Sequence, residues 1–159
     1  MSLRPMAEPG AARRRRARRA IVAGMKSKPV LALEDVRRVA AAAEAEALKN
    51  GWAVSIAIAD DGGHLLWLQR LDGAAPISAE IAPAKARTAA LGRRESRVYE
   101  EMINQGRVSF LSAPGLAGML EGGVPIVKDG QCIAAIGVSG AKPAEDTQVA
   151  RAGIAALGL

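Results

Sequence analysis

The sequence of 159 residues has few aromatic side chains and only one cysteine and one histidine. Aromatic residues make up 3% and hydrophobic residues 50%, so the core must be packed with alanine, valine, isoleucine and leucine. The single cysteine, Cys132, excludes an intrachain disulfide and favours a reducing compartment. Charged residues interrupt every apolar run before the roughly 20 residues that a membrane-spanning helix needs. These absences predict a cytoplasmic protein with no membrane span.

Motifs for hydrolytic or metal chemistry are also missing from the sequence. It contains no H-x-x-H, no H-E-x-x-H and no cysteine pair. No two carboxylates have the spacing that acid–base catalysis requires. The sequence therefore predicts no metal site built from side chains alone and disfavours an ordinary hydrolase. It leaves open whether the chain catalyses any reaction.

The excess positive charge lies in the first 24 residues. The chain has 22 basic and 16 acidic side chains. Residues 1–24 hold seven arginines and one glutamate, which leaves 15 of each sign in residues 25–159. We expect residues 1–24 to be a disordered basic extension, either a binding or targeting arm or sequence upstream of a translation start at Met25. The balanced part, residues 25–159, is expected to form a single domain that binds no nucleic acid.

The apolar pattern predicts two β-hairpins and several helices. Turn signals at Asp60-Asp61-Gly62-Gly63 and at Asp129-Gly130 each lie between two strand-like segments. Helical spacing is found in segments 33–50, 78–91, 93–104 and 144–157. Pro83 either bends a helix over 78–91 near its first turn or is the first residue of a helix that starts near Ala82. A long loop is expected over 106–123. Sequential hairpins imply antiparallel pairing, so the predicted class is α+β.

A cluster of glycines follows the last predicted strand, in the run Gly137-Val138-Ser139-Gly140. A phosphate cradle needs glycines at a turn from strand to helix. However, neither G-x-G-x-x-G nor G-x-x-x-x-G-K-[ST] is present, and the strand belongs to a hairpin. We expect the glycines mainly to let a helix pack closely on the strand. Contact of Gly137 and Ser139 with a ligand is a secondary expectation.

Four segments in the same order resemble the GlcG/HbpS-like haem-binding family, also called haem-degrading. They are IAIADDGGHLLWLQRLDGA (56–74), KARTAA (85–90), GGVPIVKDGQCIAAIGVSGA (122–141) and ED-x-x-VARAGIAAL (145–157). The resemblance runs from about Leu31 to the C-terminus. It implies a profilin-like α+β fold with an antiparallel sheet, assembly into homo-oligomers and haem as the cofactor. Haem breakdown is attributed to some members, and others are encoded beside genes of glycolate or diol metabolism.

The resemblance directs attention to four polar side chains as cofactor-binding candidates. His64, the only histidine, is either an axial ligand of haem iron or a solvated hairpin residue. Lys85 could pair with a haem propionate and Thr88 could offer its hydroxyl to iron or to bound water. Arg70 could act as a second anion anchor. Alternatively, Lys85 forms an ion pair with Asp72 or Glu80 that fixes the helix to the hairpin.

These residues support three hypotheses about function. The first is a protein that binds haem or a related tetrapyrrole, with or without a role in haem breakdown. Its ligand would lie between Lys85, Thr88, the 106–123 loop and the glycine cluster. The second is an accessory protein or enzyme for a small hydroxy acid or diol, with Lys85 and Arg70 as anion anchors. The third is an assembly protein that binds no ligand.

Overall fold

The structure, a computed structural model, describes residues 24–159. Four strands, β1 to β4, span Ser55–Asp60, Leu65–Arg70, Gly123–Lys128 and Gln131–Ser139. They form one antiparallel sheet in the order β2-β1-β4-β3. β1 and β4 are therefore central, and β2 and β3 are edge strands. Both predicted hairpins and the antiparallel α+β class are confirmed.

The described part of the chain contains four α-helices, three of which pack on this sheet. Helices α1 to α4 span Leu33–Lys49, Ser78–Gly92, Arg97–Asn104 and Pro143–Ala155, and a short 3₁₀ helix spans Val108–Ser112. Of the two starts considered for α2, the structure has the one at Ser78, with Pro83 inside the helix. The predicted start of α3 at Arg93 is wrong. Arg93 ends α2 in the left-handed conformation, with φ 53°, so the chain must leave the helix before α3 begins.

The two faces of the sheet have different cores. On one face, α1 and α4 bury branched side chains, such as Val39 and Val149, against Ile56 and Ile58 of β1. On the other face, α2 packs alanine on alanine, with Ala82 and Ala86 against Ala57 and Ala59. Small side chains let the axis of α2 come close to the sheet, as the low aromatic content predicts.

Helix α2 covers only part of its face of the sheet. It packs mainly on β4, β1 and β3, and makes few contacts with β2. Among residues 24–159, the corresponding face of β2 is therefore only partly covered at the edge of the sheet. Within residues 24–159, no helix has the length and hydrophobicity needed to cross a membrane. The disorder predicted for residues 1–24 falls, except at Gly24, outside the described residues.

Candidate functional site

The turn between β1 and β2 holds His64 against Asp60. Oδ1 of Asp60 accepts hydrogen bonds from the backbone amides of Gly62 and His64, at 2.9 and 2.8 Å. Oδ2 of the same carboxylate lies 3.2 Å from Nδ1 of the imidazole. The side chain of His64 is nevertheless 77% exposed. The ring is thus oriented by the protein and open to solvent, at the end of the hairpin where the sequence predicted it.

Further contacts fix this turn to the body of the protein. The amide of Asp60 donates to the carbonyl of His64 at 2.9 Å, and Gly63 has φ +77°, a conformation that favours glycine. The guanidinium of Arg87, on α2, donates to the carbonyl of Gly63 at 3.3 Å. Partial burial raises the pKa of Asp60, but the hydrogen bonds from His64 and Gly62 outweigh it, and the pKa lies below its usual value. The carboxylate is therefore charged at neutral pH.

A β-bulge in β2 gathers three leucines on the uncovered face of the sheet. Leu68 lies opposite Ala57 and Leu65 lies opposite Ala59, and both alanines face α2. An odd separation of three residues would put Leu65 and Leu68 on opposite faces of a regular strand. The register shift after Ile58 leaves Leu66 without a partner and brings both leucines to the α2 side. Leu65, Leu66 and Leu68, here called the leucine face, are 51%, 41% and 43% exposed.

Trp67 lies on the opposite side of the same strand and anchors it. It pairs with Ile58 and packs against the core formed with α1 and α4. Because Trp67 packs into the core on the other side of β2, the leucine face lies on a strand whose position is fixed.

Arg70, a predicted anion anchor, is exposed at the far end of β2 from His64. Six residues of extended strand span about 20 Å. A ligand that touched both side chains would have to run along most of the strand. The structure thus does not bring Arg70 and His64 together at one point.

Lys85 is buried in an ion pair rather than exposed at a recess. Its side chain is 5% exposed, and Nζ lies 2.9 Å from Oδ2 of Asp146 on α4. Nζ also donates to the carbonyl of Val138 at 2.9 Å. Burial raises the pKa of Asp146, and the ion pair with Lys85 and the amide of Ala141 oppose that rise. The expected partners Asp72 and Glu80 were wrong, because Lys85 points through the fold toward α4.

Thr88 is buried too, and the recess expected beside it is filled. Thr88 is 0% exposed, and its hydroxyl has no hydrogen-bond partner among residues 24–159. The loop expected to border the ligand lies directly on α2: a Cβ added to Gly118 would be 2.3 Å from the carbonyl carbon of Ala84. A recess of about 270 Å³ does open under this loop, with apolar walls that include Ile103, Leu111, Met119 and Leu120. Neither Lys85 nor Thr88 lines it.

The glycine cluster forms a packing corner. A Cβ added to Gly137 would be 2.1 Å from the carbonyl oxygen of Ala82 and 2.5 Å from the amide of Ala86. Gly137 thus allows α2 to lie on β4, as expected from the sequence. Ser139 is only 6% exposed, at the end of the central strand β4. Within one chain, neither residue is open to a ligand.

The side chain of Cys132, on β4, is only partly buried. It lies at a recess of about 340 Å³ that Lys28 and Arg93 also line. Burial is the largest influence on its thiol and raises the pKa of Cys132. The thiol is therefore protonated at neutral pH.

The sequence did not single out the leucine face, Asp60 as the partner of His64, or Asp146 as the partner of Lys85. The role of Asp60 was predictable, because an aspartate side chain commonly accepts a hydrogen bond from the backbone two residues on, here from Gly62. The leucine face depends on a bulge, and the ion pair joins residues 61 positions apart. Neither the bulge nor the ion pair can be predicted from a pattern of neighbouring residues.

Comparison with known proteins places this fold and these motifs among characterised relatives. Protein GlcG of Escherichia coli K12 is 59% identical over 115 residues, covering 72% of this chain and 85% of GlcG. The crystal structure of HbpS superposes with a TM-score of 0.77 at 37% identity, covering 85% of this chain and 95% of HbpS. The crystal structure of a PduOC–haem complex gives a TM-score of 0.75 at 26% identity, with coverage of 80% and 95%.

The family match covers most of the described chain. The sequence profile described as haem degrading protein HbpS-like matches residues 31–155, from the segment before α1 to the last residue of α4. Together with the identity to GlcG, this match shows that the chain belongs to the HbpS-like family.

Proposed function

We propose that the chain binds haem or a related tetrapyrrole on the leucine face, with His64 as the ligand of the iron. The observation that carries the proposal is an exposed, oriented imidazole directly before three exposed leucines on one strand. A metalloporphyrin needs both an axial donor and an apolar surface for its ring. The family description and the structurally similar PduOC–haem complex support the same class of ligand.

The donor chemistry of the site fits haem. Imidazole nitrogen is a common axial ligand of haem iron, and His64 is the only imidazole of the chain. Its Nδ1 is occupied by Asp60, which leaves Nε2 for the metal. Haem, when bound, would supply a redox-active iron. The residues of β2 would bind it, orient it and shield one side of its ring from water, so we limit the proposal to binding.

The leucine face contributes a modest part of the binding free energy. Its three residues together expose a little more than the surface of one whole leucine. Covering that surface contributes about 2–4 kcal/mol. Because association also carries an entropic cost, apolar contact alone does not give tight binding. The bond between His64 and the iron must then supply a large share of the affinity.

Within one chain, Lys85 and Arg70 do not form the anion site that the hydroxy-acid or diol hypothesis requires. It needed Lys85 and Arg70 at a common pocket. Lys85 is buried and already paired with Asp146, whereas Arg70 is exposed at the end of an edge strand. No feature of the described residues favours this hypothesis over haem binding.

We also propose that the chain forms homo-oligomers and works in the cytoplasm, as the sequence predicted. Among the strands of residues 24–159, β3 is an edge strand that pairs only with β4. Proteins commonly cover such edges, and a second copy is one means of doing so. The single cysteine supports a reducing compartment.

Titration of the full chain with haemin tests the proposal. The wild-type chain is expected to shift the Soret band and to reach saturation. His64→Ala should lower the affinity at least about tenfold, the equivalent of 1.4 kcal/mol. Its matched control is Gln131→Ala, because Gln131 is also exposed and directly follows the turn of the second hairpin.

Both variants retain the basic N-terminal segment, so non-specific attraction of the anionic propionates is the same in each. Gln131→Ala should bind as the wild type does. Absence of a Soret shift in the wild type contradicts haem binding. An equal affinity for His64→Ala and wild type contradicts the assignment of the iron ligand.

A further inference from the structure

We propose that Asp60 is a positioning residue for haem iron: it fixes the ring and the tautomer of His64 so that Nε2 is the nitrogen that binds. This inference rests on the proposed function, since it concerns the same site. The inference goes beyond the proposed function because it gives a role to a residue that would not touch the ligand.

The two oxygens of Asp60 perform different tasks. Oδ1 accepts from the amides of Gly62 and His64 and is thereby tied to the backbone of the turn. Oδ2 is left facing the imidazole, 3.2 Å from Nδ1. Because one oxygen is held by two backbone hydrogen bonds, the position of the other is fixed relative to the turn that carries His64.

The contact selects the tautomer of His64. A carboxylate has no proton to donate, so the hydrogen bond to Oδ2 forms only when Nδ1 carries the proton. In the neutral imidazole, the lone pair is then on Nε2. Histidines that ligate metals commonly donate their other N–H to a carboxylate, which sets the ring orientation and raises the basicity of the ligating nitrogen.

The glycine of the turn makes room for the ring of His64. A Cβ added to Gly62 would lie 2.9 Å from both Cε1 and Nδ1 of the imidazole, so the ring rests where a side chain would otherwise be. The neighbouring carboxylate, Asp61, forms an ion pair with Lys28 instead. Of the two adjacent aspartates in this turn, Asp60 therefore contacts the histidine and Asp61 does not.

This difference provides a matched pair of variants. Asp60→Asn keeps an oxygen for the two amides, so the turn is expected to fold, but it replaces the acceptor facing Nδ1 with an amide. Asp61→Asn removes the same charge from the same turn without changing a contact of His64. Far-UV circular dichroism checks that both full-length variants fold. The measurements are haemin affinity and the reduction potential of the bound haem.

Asp60→Asn is expected to weaken haemin binding by about 10–100-fold, the usual effect of losing such a partner. It should also raise the reduction potential, because a less basic imidazole stabilises ferric iron less well. Asp61→Asn should match the wild type in both measurements.

The inference stands only if the potential of Asp60→Asn exceeds those of both the wild type and Asp61→Asn. Equal potentials overturn it, even if the affinity falls, because a purely structural role would weaken binding without changing the iron. Haem binding that does not depend on His64 also overturns it, and contradicts the assignment of the iron ligand while leaving haem binding itself intact. A wild-type chain that binds no haem contradicts the proposed function itself.

Discussion

Replacement of Lys85 by methionine is expected to lower the free energy of unfolding by about 3–5 kcal/mol, the usual effect of breaking a buried ion pair. The substitution leaves the carboxylate of Asp146, which is 3% exposed, without its cationic partner. It also removes the donor to the carbonyl of Val138. The cost comes from an uncompensated buried charge rather than from lost packing, since methionine has nearly the volume of lysine.

Urea denaturation followed by circular dichroism measures the change. The matched control is Lys142→Met, because Lys142 is 84% exposed and its ion pair with Glu145 is at the surface. The control should change stability by less than about 1 kcal/mol. The double variant Lys85→Met/Asp146→Leu should recover most of the loss, since no buried charge remains. If Lys85→Met were as stable as the control, the ion pair between Lys85 and Asp146 would not form in solution.

Gly137→Ala is expected to destabilise the fold by about 4 kcal/mol or more. The added methyl group would lie 2.1 Å from the carbonyl oxygen of Ala82. That oxygen belongs to the backbone of α2 and cannot turn aside as a side chain can. The helix would have to move off the sheet, which opens the alanine contacts along its length.

Gly130→Ala is the control for this substitution. A Cβ at Gly130 meets no atom within 4 Å, although its φ of +73° favours glycine. Gly130→Ala should lower the free energy of unfolding by about 1–2 kcal/mol, the cost of holding alanine in this backbone conformation. Comparison of the two urea midpoints separates close packing from backbone conformation. If Gly137→Ala were no worse than Gly130→Ala, the tight contact between α2 and β4 would be contradicted.

The sequence predicted the parts of the fold that depend on neighbouring residues. Both hairpins follow from turns whose glycines and aspartates lie next to one another, and the helices follow from apolar spacing within each segment. The start of α3 was wrong because Arg93, a residue that seldom adopts positive φ, ends α2 in that conformation. Local propensity favours a helix there, and the tertiary structure overrides it.

The candidate site was predictable only in part for the same physical reason. His64 and its exposure follow from its place after Gly62-Gly63. The burial of Lys85 does not, because its partner Asp146 lies on a helix far along the chain. A lysine on a helix that faces the sheet on one side and solvent on the other gives no local sign of which side it occupies. The leucine face likewise depends on one unpaired residue, Leu66.

NMR of leucine methyl groups with a bound diamagnetic porphyrin tests the central claim most directly. Zinc protoporphyrin shifts the signals of nearby protons through its ring current. The account predicts large shifts for the methyl groups of Leu65, Leu66 and Leu68 on β2. It predicts none for Leu111 and Leu120, which line the separate recess beneath the loop. Shifts confined to Leu111 and Leu120, with the β2 leucines unchanged, would contradict the account.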